Sequence, residues 1–462
     1  MKFKTTILLF ALFLVLLGAV LLFESREKGK KEKEEKLVSL PSDSVQKISF
    51  KKEDGTMTFQ KDEKGEWLIT EPLQAKADKY EVDRIAQDFS DLKIERVVET
   101  QPKSLEKYEI PKKEITLWFK GQEKPVKILI GMENPLDSTF FAKKEEETRV
   151  VLIPSHLKSL MEKKLIDFRQ KDIFKFETNE VKGVKLRAKN TGWEAEKKEE
   201  EWLLKSPFQA LAESSKIEGI ISSLSNLKAK DFVSEEKKEE EIKKYGLDKA
   251  EYEIALEMPL ANKEVTFLLH KEADKLYATT SQSSKIITSE DSLLSDLEKE
   301  AKELREKSVA KFYSWEANKL HIKKAEVDWT LAKDKDDNWS YESPTKDPAD
   351  KDKVQPFIRK FESLEASEFI DPPFNLKDYG LDSPQAEVKI WTKEKGEKEE
   401  KVKEITVFIG KEDKDAKKVV VKNARFDYLF RADSAFLEEF PKELKDWNKP
   451  PEKKEEEKKQ LK

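Results

Sequence analysis

The stretches EWLITEPLQAKAD (66–78), EWLLKSPFQALAE (201–213) and NWSYESPTKDPAD (338–350) decide how this chain is built. Each places a tryptophan five residues ahead of a proline: Trp67 and Pro72, Trp202 and Pro207, Trp339 and Pro344. Each ends on an acidic residue, Asp78, Glu213 or Asp350. The tryptophans are 135 and 137 residues apart, a period that marks duplicated whole domains and not short solenoid units.

The agreement extends outward on both sides. Upstream, VQKISF (45–50), VKGVKL (181–186) and ANKLHI (317–322) alternate apolar and polar residues, as half-buried strands do. Downstream, Val82, Ile85, Phe89 and Leu92 are matched by Ile217, Ile220, Leu224 and Leu227, and by Val354, Phe357, Phe361 and Leu364. Spacings of three and four place each set on one face of a helix. Asp78 with Glu81 reads as a capping box, and Asp350 as an N-cap.

After each helix come the pairs Val97-Val98, Phe232-Val233 and Phe369-Ile370, then Leu105, Ile242 and Leu376, each three residues ahead of Tyr108, Tyr245 or Tyr379. The second and third tyrosines open KYGLDKA (244–250) and DYGLDSP (378–384), whereas the first copy has KYEIPKK (107–113). These read as structural turns. Gly246 and Gly380 relax the backbone, Asp248 and Asp382 cap the bend, Pro111 replaces the glycine in copy one by fixing φ, and the tyrosines anchor the turn. Further strands follow in every copy: EITLWF and VKILIG, EIALEM and EVTFLL, AEVKIW and EITVFIG. Gly131 and Gly410 correspond, while copy two has His270 soon after its strand.

Copies one and two close alike, as KLIDFRQKDIFKF (164–176) and EAKELREKSVAKF (300–312), with Arg169 and Arg305 in register. Each close leads directly into the next opening strand, so the linkers are expected to be ordered and the modules to form a rod. The expected fold class is α+β: an N-terminal transmembrane helix, then three tandem repeats, each a mainly antiparallel sheet with one principal amphipathic helix. The expected boundaries are 1–36 for anchor and charged stalk, 37–172, 173–308 and 309–447 for the modules, and 448–462 for a disordered charged tail.

The anchor reading rests on residues 5–23, an uncharged apolar run that nearly matches a bilayer core at about 1.5 Å per residue. No small-residue cleavage site follows it, so an uncleaved single-pass helix is expected. The short basic n-region, Lys2 and Lys4, resembles an export signal, and Glu24, Glu27, Glu32, Glu34 and Glu35 dilute the downstream cations. These favour an extracytoplasmic body, although the bare Lys/Arg count points the other way.

Composition narrows the chemistry. The 462 residues carry 90 Lys plus Arg and 95 Asp plus Glu, mixed along the chain, with no cysteine. Without a segregated basic face, nucleic acid is not an expected partner. His156, His270 and His321 occupy unrelated places in the repeat, and neither a phosphate-binding glycine loop nor a nucleophile elbow occurs. No catalytic, cofactor-binding or metal residue is assigned, no cofactor is expected, and an enzyme is not the favoured reading. Asp78, Asp350, Asp248 and Asp382 are accounted for by caps and turns.

The combination of W-x4-P, a helix ending in leucine, FV or FI, YGLD, a strand closing in IG, and ELREKSVAKF resembles a bacterial family known as domain of unknown function 4340, over nearly all of residues 40–447. The resemblance implies an N-terminal membrane helix, an extracytoplasmic body in the bacterial inner membrane, and a setting beside ABC-type transport components of the gliding-motility type. The favoured expectation is a membrane-tethered periplasmic interaction or scaffold protein with an envelope protein partner. The alternative is a carboxylate-dependent hydrolase acting on an envelope glycan or lipid.

Overall fold

The computed structural model describes residues 35–259, 263–395 and 400–449. The expected anchor at 5–23 and nearly all of the expected stalk and tail lie outside these residues. Among the described residues no helix is long and apolar enough to cross a membrane.

The first sheet has nine strands: β1 (Val45–Lys52), β2 (Gly55–Lys61), β3 (Trp67–Glu71), β4 (Ala75–Lys76), β5 (Arg96–Glu99), β6 (Lys113–Phe119), β7 (Val126–Glu133), β8 (Phe140–Lys144) and β9 (Val150–Ile153). Their order is β4-β3-β2-β1-β6-β7-β8-β9-β5. The chain makes a four-strand meander, crosses by a helix and β5, and returns so that β6 pairs with β1. All recorded pairings are antiparallel.

The second sheet repeats this order with β10 (Gly183–Ala188), β11 (Gly192–Lys198), β12 (Glu201–Ser206), β13 (Ala210–Leu211), β14 (Asp231–Ser234), β15 (Tyr252–Met258), β16 (Lys263–Glu272), β17 (Lys275–Thr280) and β18 (Ile286–Ser289). Register is kept: Ile48 pairs with Leu117, Val184 with Leu256, and Leu320 with Ile390. The third sheet has eight strands: β19 (Ala317–Lys324), β20 (Val327–Lys333), β21 (Trp339–Ser343), β22 (Ala366–Ile370), β23 (Ala386–Lys395), β24 (Glu400–Asp413), β25 (Lys418–Asn423) and β26 (Leu429–Asp433), ordered β21-β20-β19-β23-β24-β25-β26-β22. Pro348 stands where Lys76 and Leu211 form the short edge strands, and its missing N–H leaves a single bridge to Ser340.

The expectation of an α+β class with a principal helix per repeat is therefore corrected. The protein is mostly antiparallel sheet, in three sheets of nine, nine and eight strands. Each repeat's longest helix, Lys79–Ser90, Ser214–Ser225 or Lys351–Glu362, has 12 residues and serves as a lid on one face. Its apolar periodicity is conspicuous in sequence, whereas short strands carry weak individual signals, so pattern alone overstates the helix. In the first repeat Val82, Ile85, Ala86 and Phe89 pack into one core with Ile48, Phe50, Phe59, Ile115, Leu117 and Ile128.

By packing, the chain divides into two units. One comprises residues 1–173, 228–236 and 285–289, and the other 174–227, 237–284 and 290–462. The paired strands β14 and β18 thus count with the first unit, a division that the repeat period does not contain.

Candidate functional site at the joints between repeats

The repeat motif is chiefly architectural. Trp67, Trp202 and Trp339 are buried. The Trp67 indole N–H donates to Asp83 Oδ1 at 2.7 Å and that of Trp202 to Glu218 Oε1 at 3.3 Å. At the matching place Gln355 donates to the Ser314 carbonyl, and Trp339 Nε1 has no partner among the described residues. Pro72, Pro207 and Pro344 each follow a cis peptide bond. The Asp78 side chain accepts from the N–H groups of Tyr80 and Glu81, and that of Asp350 from Asp352. Glu81 turns to Lys163 instead of completing a capping box.

The tyrosines are anchors of varied depth. Tyr108 is buried against Phe141 with its hydroxyl donating to Glu99 at 2.8 Å, Tyr245 lies against Tyr277, and Tyr379 against Phe374. The bends close through backbone, Gly246 N to Lys243 O at 3.1 Å and Gly380 N to Lys377 O at 3.2 Å, while Asp248 and Asp382 are exposed. Gly246 and Gly380 hold φ of 67° and 65°, and copy one uses Glu109 at 52° for this left-handed residue, so Pro111 is not its substitute.

The most specialised chemistry lies where one repeat passes into the next. Ala77 bridges to Arg169 and Ala212 to Arg305, so the closing segment returns to the strand edge that precedes its own helix. The following residues reach forward, where Asp172 bridges to Lys228 and Ser308 to Glu365. Backbone pairing on both sides fixes each arginine at the boundary.

Arg169 is 4% exposed, and its Nη1 and Nη2 donate to Glu235 Oε1 and Oε2 at 2.6 and 2.9 Å. Its guanidinium lies 3.5 Å from the centroid of Phe232. Arg305 is 2% exposed, and its Nη1 donates to both oxygens of Asp371 at 2.8 and 2.9 Å. Three rings surround it: Phe369 at 3.9 Å, Tyr428 at 4.5 Å and Phe208 at 4.6 Å. In both joints the carboxylate is 66 residues after the arginine. A planar cation suits this site because one face can stack on an aromatic ring while its edge bonds a carboxylate.

The joints differ most at the position beside the clasp. Ile287 pairs with Phe232 and Phe430 with Phe369, and the residue two before each is Lys285 or Tyr428. Lys285 brings a second cation, 3.9 Å from Glu235 and 5.1 Å from the Phe232 centroid. Burial, and then the neighbouring Arg169, hold its ammonium below the usual lysine range. Burial pushes the Tyr428 hydroxyl up to about 12, and this hydroxyl accepts from the Leu211 N–H at 3.4 Å. The second joint gains a further ion pair, Arg425 to Glu201, which holds the Glu201 carboxyl below its usual range.

The outer copies lack the device. Val97 stands at the place of Phe232 and Phe369, and Arg149, at the place of Lys285, pairs with Glu35 and Glu147. At the far end Asn448, not arginine, bridges to Ala349. Sequence reading aligned the two arginines and the FV and FI pairs but did not join them. The equal 66-residue separation to a carboxylate was the available signal, weak in a chain with 95 acidic residues. Of the histidines, His156 is exposed, His321 bonds Asp328 at 3.0 Å, and His270 adjoins Gly246. Among the described residues no group of three or more His, Cys, Asp or Glu is placed to hold a metal.

The family profile described as domain of unknown function (DUF4340) matches three segments, 67–240, 202–377 and 339–455. The chain belongs to the DUF4340 family. Each match begins at a repeat tryptophan, and the first two run across a joint, so each contains one complete clasp of arginine, ring and carboxylate. No curated protein matches the chain. Among solved structures it is similar to a DNA polymerase sliding clamp from Pseudomonas aeruginosa, with 8% identity, 86% of this chain and 92% of that chain covered, and a TM-score of 0.15. The DNA polymerase III subunit beta from the same organism gives 10% identity, 86% and 93% coverage, and a TM-score of 0.16. Similarity at that level carries no argument about this DUF4340 chain.

Proposed function

We propose that this DUF4340 protein is a membrane-tethered, extracytoplasmic scaffold of the bacterial envelope, held in the inner membrane by residues 5–23. In this reading it presents its repeats to an envelope protein partner, an ABC-type transport component of the gliding type being the partner class. The observation that carries the reading is the joint. A buried arginine clamped between ring and carboxylate recurs where one repeat passes into the next, and a contact repeated in this way, with no catalytic group beside it among the described residues, supports a structural role over a catalytic one. The apolar run at 5–23 supports the tether.

Protease accessibility tests this reading. In intact cells the body is protected, outer permeabilisation makes it digestible, and inverted inner-membrane vesicles protect it again. Digestion in inverted vesicles would overturn the extracytoplasmic assignment. Crosslinking from the body should then capture a membrane-transport component, and capture of none in the native host would sink the partner assignment.

A further inference from the structure

The three copies hold one difference that the fold does not require. Lys113 pairs with Ile130, Tyr252 with Leu269, and Ala386 with Ile409, so the next residues, Gly131, His270 and Gly410, are structural equivalents. His270 therefore lies inside β16 at the glycine's own place, and not after the strand. In copies one and three a Cβ there would stand 2.1 Å from the Tyr108 carbonyl oxygen or 2.3 Å from that of Tyr379. The turn presses directly onto the strand. In copy two the imidazole occupies this space and the turn's own Gly246 packs on it, with a Cβ at Gly246 only 2.4 Å from His270 Cδ2. A helical turn, Glu239–Lys244, precedes the tyrosine in this copy.

Beside the imidazole lies an open pocket of 950 Å³ whose apolar lining includes Leu268, Ile242 and Leu247. Leu268 has Leu129 and Phe408 as its equivalents, and these are packed into small apolar clusters under the turns of their own copies. The His270 Nδ1 atom is buried and without a hydrogen-bond partner among the described residues. Three cationic side chains and three carboxylates also line it. Arg187 and Glu253 bond each other, and the equivalent Lys51 and Glu114 pair in copy one, so that pair belongs to the fold. Lys189 and Lys249 stand at the rim beside Asp248, the acid of the turn that copy three shares as Asp382.

We infer that the second repeat carries a binding site for a short zwitterionic peptide. Its apolar side chain rests on Leu268 beside the His270 ring, its carboxylates face Lys249 and Lys189, and its amine faces Asp248. The volume suits a ligand of a few residues. With Arg187 and Glu253 paired and Glu251 accepting from the Lys271 N–H, Lys189, Lys249 and Asp248 remain around the apolar floor, and groups of both signs favour a molecule that carries both signs over a simple anion. The inference goes beyond the scaffold reading and does not depend on which side of a membrane the body occupies.

The test uses the full chain labelled at histidine Cε1 and the tripeptide glutamyl-leucyl-lysine. The His270 resonance should shift saturably at submillimolar peptide, with His156 and His321 as unmoved internal references. His270→Gly, which restores the residue of the sibling copies, should weaken binding at least about tenfold. Lys249→Glu, at an exposed position that the fold does not use, should weaken it severalfold even if the first variant folds poorly. A peptide with both termini and charged side chains capped should bind at least about tenfold more weakly. Absence of any His270 shift, unchanged affinity in Lys249→Glu, or equal binding of the capped peptide would each overturn the assignment.

Discussion

The two joints solve one problem with different surroundings. Arg305 sits among Phe208, Phe369 and Tyr428 with Asp371 as its anion, whereas Arg169 stacks on Phe232 and shares Glu235 with Lys285. The second joint spreads the desolvation of one cation over three π faces. The first places two cations beside one carboxylate. Arg305 leaves Nε and Nη2 without a partner among the described residues and Arg169 only Nε, but three ring faces meet the Arg305 charge against one at Arg169, so the same backbone geometry should hold more firmly at Arg305.

Truncating the arginines breaks the comparison most directly. Arg305→Ala is expected to destabilise the joint by about 3 kcal/mol, because it removes a nearly buried partner and leaves a gap among three rings. Hydrogen exchange of residues 366–371 in the full chain reads this out. Arg169→Ala should cost about 2 kcal/mol, because Lys285 remains near Glu235. Exchange of residues 228–236 checks it, and a larger loss there than at Arg305 would reverse the ranking. Arg305→Lys should cost about 1–2 kcal/mol by losing the planar fork and its stacking.

The alkaline response sharpens the contrast. Tyr428, raised to about 12 in the folded chain, contributes stability that is intact below its ordinary value near 10 and is lost as pH rises toward 12. Lys285 is depressed, so its contribution has the opposite sign: stability rises with pH between its folded value and the ordinary 10.5, and is lost as pH falls through the folded value. Exchange-based stabilities at the two joints should therefore diverge as pH rises from about 10 toward 12. Tyr428→Phe should remove the loss at the second joint, and Lys285→Met the rise at the first. Parallel profiles would show that the neighbouring residues do not set the difference.

The smallest effect concerns the indoles. Asp83→Ala leaves Trp67 Nε1 without its acceptor, the condition already found at Trp339, and should cost about 1 kcal/mol. Thermal unfolding followed by tryptophan fluorescence measures this.

The tandem design was legible from sequence because its signals are local or strictly periodic. Trp67, Trp202 and Trp339 carry the period, and Asp78 and Asp350 announce helix starts through their own backbone bonds. Sheet dominance was less legible, since short edge pieces such as Ala75–Lys76 are strands only through their neighbours. The family resemblance, drawn from spaced tryptophan, proline, YGLD and LREK residues, holds for the same reason.

Tertiary structure decided the rest. Which of many carboxylates meets Arg169 or Arg305 depends on a chain returning after 66 residues to a particular sheet edge, and no local pattern specifies that return. Likewise, the sequence showed a histidine near a missing glycine, but only register made His270 the equivalent of Gly131 and Gly410 and set Gly246 against its ring. Periodicity is a property of neighbours along the chain and survives in one dimension. Clasps and pockets arise from side chains brought together by long-range pairing, and there a one-residue slip would turn each side chain to the opposite face.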